Sequence, residues 1–218
     1  MTVPDPKDIL LFAHQPREFP QERARVTYEA LIKAAIGVFV DKGFDATQTP
    51  DIAAAAGVSV GTFYRYFQDK RDVFIEILRR DVAKSYSDVI ARLTPERFAD
   101  AERRQTIETI IGLLLANITR HPEMQKLFLE MSLRDPDVAA LKQAYDAEGQ
   151  RRVAELIAAI CPRELVADPE ATAYMIHTAV IECAIHIGGS RGPLPVSRER
   201  AIAALTEIIC RSLFGFDD

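Results

Sequence analysis

Cysteine is scarce in this 218-residue chain. Cys161, Cys183 and Cys210 are odd in number and widely spaced. No disulfide framework or metal-ligand spacing is visible, and a reducing cytoplasm is the expected compartment. No apolar run is long enough for a membrane helix. The N-terminus carries Asp5 and Asp8 rather than a basic leader, which argues against a secretory signal. Strand-type alternation of useful length is missing, as are internal repeats and low-complexity segments. So are a glycine-rich phosphate loop, a nucleophile paired with a base, and a metal cluster; no catalytic residue and no cofactor is expected. Positive charge is not in excess either: 27 Lys and Arg stand against 32 Asp and Glu, a net charge of -5. Any contact with a polyanion must therefore be local. What the chain does have is a hydrophobic fraction of 48%, enough for a globular core in one domain or two.

The most informative stretch runs from Thr49 to Lys70, TPDIAAAAGVSVGTFYRYFQDK. It reads as two short helices joined by a tight turn. Thr49 is expected to cap the first, with Pro50 in the first helical position where its missing N–H costs nothing. Ile52, Ala53 and Ala56 recur at helical spacing and face a core. Gly57 supplies the left-handed exit and Val58 the plug of the turn. Ser59 caps the second helix, expected to run to Phe67. Phe63 and Phe67 are four apart and anchor it. Thr62, Tyr64, Arg65 and Tyr66 are left to point elsewhere. A hydroxyl, two phenols and a guanidinium suit phosphate oxygens and base edges. Singly, each residue reads as part of a solvated face. The turn, both caps and the aromatic anchors together point to double-stranded DNA.

The segment from about Arg25 to Phe74 resembles the DNA-binding domain of the TetR (tetracycline repressor) family. The first-helix pattern ALIKAAIGVFVDKGFDAT and the run IA-x-x-AGVS-x-GT-x-Y-x-YF-x-x-K carry the resemblance, over the first third of the chain. It implies an all-α protein with a three-helix head and a larger helical body. It also implies a homodimer, usually a repressor released from operator DNA by a small-molecule effector. By position, Thr49, Thr62, Tyr64, Tyr66 and Lys70 match family DNA contacts, and Arg65 lies on the same stretch at a variable position. Pro50, Val60 and Gly61 depart from the pattern. They leave direct readout thinner and shift weight to thymine methyls or DNA shape.

Along the chain, residues 1–20 read as an irregular arm, 21–69 as the head and 70–218 as the body. Helices are expected at about Gln21–Lys42, with Gly43 as the exit, and at Lys70–Leu93. In the body they are expected at Ala99–Arg120, Glu123–Arg134, Asp137–Cys161, Pro169–Gly188 and Val196–Phe214. Arg23, Arg25, Arg65, Lys70 and Arg71 are the head's cations, opposed by Asp51, Asp69 and Asp72. Apolar stripes in the body read as core when taken alone. With the resemblance they imply an apolar cavity. Leu114, Asn117, Phe128, Met131, Tyr145, Met175, His177 and Ile181 are the expected ligand residues. Asn117, Tyr145, His177 and Glu182 are the polar groups that could orient a ligand. His177, alone on an apolar face, reads equally as a hydrogen-bonded core residue. Glu182 and His186, or Cys183 and His186, share a helix face but find no third partner. An intrahelical Glu–His bond or a solvated face is expected there, not a metal. The last two helices are apolar on more than one side, which fits a partner subunit. The competing reading is a helical ligand-binding or interaction protein that no longer reads DNA.

Overall fold

The computed structural model describes residues 19–98 and 102–215. Among them are nine α-helices and no strand. These are α1 (Glu22–Ala46), α2 (Thr49–Ala55), α3 (Val60–Tyr64), α4 (Lys70–Asp88), α5 (Arg103–Ile118), α6 (Pro122–Ser132), α7 (Pro136–Ile160), α8 (Pro169–Ile187) and α9 (Arg198–Phe214), with two 3₁₀ turns at Ile90–Arg92 and Pro95–Phe98 between α4 and α5. The expected arm lies outside the described residues except for Phe19 and Pro20; the Phe19 ring packs 4.9 Å from Tyr28. Ala99, the expected start of the fifth helix, is likewise outside them.

Helix boundaries in the body follow proline. Pro122, Pro136 and Pro169 each sit in the first turn of a helix, where no intrahelical N–H is missed. Asp135 and Asp168 stand before two of them and accept backbone N–H groups of the first turn. Two expectations for the head shift. Gln48, not Thr49, precedes α2, because the Asp51 carboxylate accepts the Gln48 N–H at 2.9 Å and so fixes the cap one residue earlier. Helix α3 ends at Tyr64 rather than Phe67. The bond from Tyr66 N to Phe63 O tightens the last turn, and Asp69 then caps α4 by accepting the Asp72 N–H at 2.9 Å.

The turn between α2 and α3 is closed by two backbone bonds, Val58 N to Ala53 O and Gly57 N to Ala54 O, each 3.0 Å. That double closure needs a left-handed residue, and Gly57 has φ +69. Gly43, at φ +74, breaks the helical path near the end of α1.

The core of the head does not end at residue 70. Tyr28, Leu31, Phe39, Ile52, Phe63 and Phe67 share one buried cluster with Phe74 and Ile77 of α4, and with Met124, Met131, Val138 and Leu141 of α6 and α7. A second cluster joins α5, α7, α8 and α9 through Ile111, Leu115, Ile157, Ala173, Ile209 and Leu213. Displacement of α6 therefore acts directly on the packing of the head.

Candidate nucleic-acid interface and body cavities

Helix α3 is five residues long and cannot hold itself together. Its placement comes from Phe63, fully buried, and from Phe67, which reaches the same core from the turn beyond. Phe67 stacks on Tyr28 at 5.1 Å. Ser59 Oγ accepts the Thr62 N–H at 3.1 Å, and the two hydroxyls are 2.9 Å apart. Against this anchored side, Tyr64 is 57% exposed, with its ring edge-on to Phe63. Arg65 is exposed, and among the described residues no hydrogen bond or ion pair engages its side chain. Thr62 is half-buried at the same surface. Tyr66 is half-buried and packs towards Tyr28, 6.0 Å between ring centres. Thr49, half-buried, starts α2.

Lys70 has another task. Its ammonium donates to the carbonyls of Phe44 at 2.8 Å, Asp45 at 3.0 Å and Thr47 at 2.8 Å, and sits 4.8 Å from the Phe44 ring centre. All three donors are used on carbonyls at the end of α1, where a cation is favourable. Thr47, fully buried, donates to Gly43 O at 2.6 Å in the same knot. Sequence reasoning missed this knot; the signal was a threonine four residues after a glycine exit. Lys70→Met should therefore lower head stability by about 1–3 kcal/mol, the scale of charge-assisted bonds lost. A thermal melt unchanged from the parent would remove this role.

Three ion pairs tie the corner between α6 and α7 to the head and to α4. Arg71 forks onto Asp135 at 2.5 and 2.8 Å and reaches Asp137 at 2.7 Å. Arg134 reaches Asp45 at 2.9 Å. The Arg71 guanidinium holds the Asp135 carboxyl below its usual range, despite some burial.

The body contains two adjoining cavities of about 100 Å³ each. The first lies between α4, α5, α6 and α7 and is polar at its mouth, with Asp81, Asn117, Arg120, His121 and Lys142 in its wall. The second is apolar, walled by residues such as Ile90, Phe98, Ile111, Leu156 and Leu213. Leu114, Tyr145 and Ile181 line both and partition them. Tyr145 Oη is 2.6 Å from Ser85 Oγ of α4, and burial pushes the phenol up to about 12.

Of the expected ligand residues, Asn117 and Phe128 line the polar chamber, His177 the apolar one, and Leu114, Tyr145 and Ile181 both. Two lie elsewhere. Met131 is buried in the cluster that joins head to body, because its helix turns that face to α1. Met175 is 63% exposed on α8, two residues short of His177 and on a different face. Glu182 lines neither chamber; it is exposed and pairs with Arg191 at 3.1 Å, so of the two expectations the solvated face holds and the bond to His186 does not. His177 was expected to touch ligand or to be a hydrogen-bonded core or interface residue, and no hydrogen bond engages it among the described residues. Its Nε2 is buried, pressed against Gly149. Burial lowers its pKa, with Asp146 pulling up and Lys142 down.

An exposed helix anchored by aromatics, behind a glycine turn, defines a helix-turn-helix head on a helical body. Residues 31–77 match the family model for bacterial regulatory proteins of the tetR family, and 104–213 match the tetracyclin repressor-like C-terminal domain. The chain belongs to the TetR family. Among curated relatives, the HTH-type transcriptional repressor BepR of Brucella suis biovar 1 is 40% identical over 108 residues, 41% of this chain and 51% of that protein. The fatty acid metabolism regulator protein of Bacillus subtilis is 33% identical over 63 residues, 29% of this chain and 32% of that protein. The chain thus spans a third to a half of the length of these relatives. A crystal structure of AibR, solved with isovaleryl coenzyme A and operator DNA, shares the fold at TM-score 0.60 and 16% identity, covering 87% of this chain and 98% of that one. No helix among the described residues is long and apolar enough to cross a membrane.

Proposed function

We propose that this chain is a non-catalytic, ligand-responsive transcriptional regulator of the cytoplasm, a repressor that binds a palindromic operator as a homodimer and is released by a small apolar or aromatic effector. The observation that carries the reading is the two-sidedness of α3: Phe63 buried, Tyr64 and Arg65 presented to solvent with no hydrogen bond or ion pair among the described residues. Thr62 and Tyr64 read base edges, Arg65 and Thr49 hold phosphate, and Tyr66 sets the pitch of the turn. Lys70 acts by holding the end of α1 under the DNA-facing helices; a phosphate contact from its ammonium requires giving up a carbonyl.

The partner surface is proposed on α8 and α9. Tyr174, Met175 and Ile208 are 54%, 63% and 62% exposed and stand on the side of these helices turned away from the core. Large apolar side chains left exposed on these two helices fit a second copy.

Release follows from connectivity. An effector in the body meets α4 through Ser85 and α6 through Phe128. Both helices carry contacts to the head, through Lys70 and Arg71 on one and Arg134 next to the other. Effector binding that favours a shifted α6 disfavours the DNA-binding spacing, with a coupling of roughly 1–3 kcal/mol.

The test is Tyr64→Ala in the intact protein, against duplexes selected by the parent from a random pool. Affinity should fall by about 1–2 kcal/mol, with the dimer intact and the melting temperature lowered only slightly, since Tyr64 is more than half exposed and touches the core only through the Phe63 edge. Unaltered affinity would place the DNA face elsewhere.

A further inference from the structure

The effector reading leaves open what the effector is, and the two chambers differ enough to say. We propose that the body takes an uncharged amphiphile: one ring or short chain in the apolar chamber, and a head group that both donates and accepts hydrogen bonds in the polar chamber, passing the Tyr145 partition. The proposal rests on the effector reading above.

The apolar chamber sets the tail. A dry cavity of roughly 150 Å³ holds benzene, so about 100 Å³ suits a single small ring or a few carbons with slight adjustment of the walls. Its polar atoms belong to Tyr145 and His177. The Tyr145 hydroxyl is engaged by Ser85, and His177 Nε2 faces Gly149, where burial favours the neutral imidazole. A charge placed there would have no counter-ion in the wall.

The polar chamber sets the head. Lys142 and Asp146 satisfy each other at 2.5 Å. Arg120 donates to the Asn117 carbonyl oxygen. Asn117, Asp81, Gln125 and His121 are left over among the described residues, and the first two decide between head groups. Asn117 Nδ2 is buried with no acceptor inside hydrogen-bond distance; the pKa of the Asp88 carboxylate beside it is lowered first by Lys84, at 2.8 Å, and only last by Asn117. Asp81 lines the mouth with no hydrogen bond or ion pair among the described residues; burial pushes its carboxyl up, while Arg120 and His121 pull it down. Asn117 Nδ2 asks for an acceptor and Asp81 for a donor. An anionic head meets Asp81. A cationic head meets Arg120 and leaves Asn117 unsatisfied. A carboxamide or hydroxyl serves both.

Tyr145 gives this site its link to the head. Its ring divides the chambers and its hydroxyl holds Ser85 of α4. A ligand that spans both chambers moves that ring and so releases or re-aims the bond to the connecting helix.

Three probes with the same ring decide the matter: phenylacetamide, phenylacetate and phenethylamine, titrated calorimetrically into the full chain at pH 7. Phenylacetamide should bind at least tenfold more tightly than either charged analogue. Asp81→Asn, which keeps the size of the side chain and removes no hydrogen bond or ion pair among the described residues, should narrow the gap between amide and carboxylate at least threefold. Equal or tighter binding of a charged analogue overturns the proposal, as does failure of all three at millimolar concentration or a gap unmoved by Asp81→Asn. Duplex binding is measured separately without probe. A chain that binds DNA but shows no preference for the amide sinks only the ligand class; one that prefers the amide but binds no DNA sinks only the regulator reading.

Discussion

Phe63→Ala should cost roughly 3–5 kcal/mol and abolish DNA binding, the largest effect expected of any head substitution. Phe63 is fully buried, and its ring lies 5.7 Å from both Phe67 and Tyr64. Helix α3 has only this residue among its five fully inside the core. Truncation removes the anchor and leaves a cavity in the buried cluster of the head. Because the same cluster runs through Phe74 to Met131, the loss should spread into α6, not stay within residues 22–69. Limited proteolysis should open the α2–α3 turn first, and the melt should shift as one transition. A variant that melts like the parent and still binds its duplex would show that α3 is held by something other than Phe63.

Gly149→Ala should destabilise the body by about 3 kcal/mol, near the upper end of what one inserted methyl costs in a packed core. A Cβ at Gly149 would lie 2.6 Å from His177 Nε2 and 2.9 Å from its Cδ2, with Ile90 Cδ1 at 3.5 Å behind. The imidazole is buried and lines the apolar chamber, so an added methyl either drives the ring into that space or parts α7 from α8. The repair is specific: Gly149→Ala with His177→Ala should recover most of the loss, while His177→Ala alone should cost less than Gly149→Ala alone. Additive losses in the double variant would contradict the contact. Burial also sets the sign of a pH effect. The folded imidazole has a pKa below its ordinary 6.5, so the unfolded chain binds the proton more readily. The contribution of the neutral ring is present above that ordinary value and diminishes as pH falls below it; His177→Ala should remove this part of the pH dependence.

Much of this was legible in the sequence. The glycine turn, the Ser59 cap and the Phe63–Phe67 face follow from local chemistry, and proline marked the body helices to within a residue or two. The polar side chains of the two chambers were partly legible as well: Asn117, Tyr145 and His177 stand out on apolar faces. What was not legible depends on contacts distant in sequence. Lys70 reads as a surface cation until the carbonyls at the end of α1, 23 to 26 residues earlier, are brought to its ammonium. The Arg71–Asp135 fork spans 64 residues, and nothing local announces it. Met131 and Met175 have the composition of ligand residues, but helix rotation decides which side of a stripe meets a cavity. Gly149, in mid-helix, carries no turn signal at all. Its meaning comes only from the histidine opposite.

The central claim is that α3 of two copies of this chain reads duplex DNA. Selection of bound duplexes from a random pool, followed by mass measurement of the complex, tests it most directly. The account predicts enrichment of a palindromic site whose half-sites lie about one helical turn apart, ~34 Å or a multiple, occupied by an even number of chains and lost in the Tyr64→Ala, Arg65→Ala double variant. No enrichment above the starting pool, or an asymmetric site held by a single chain, would contradict it.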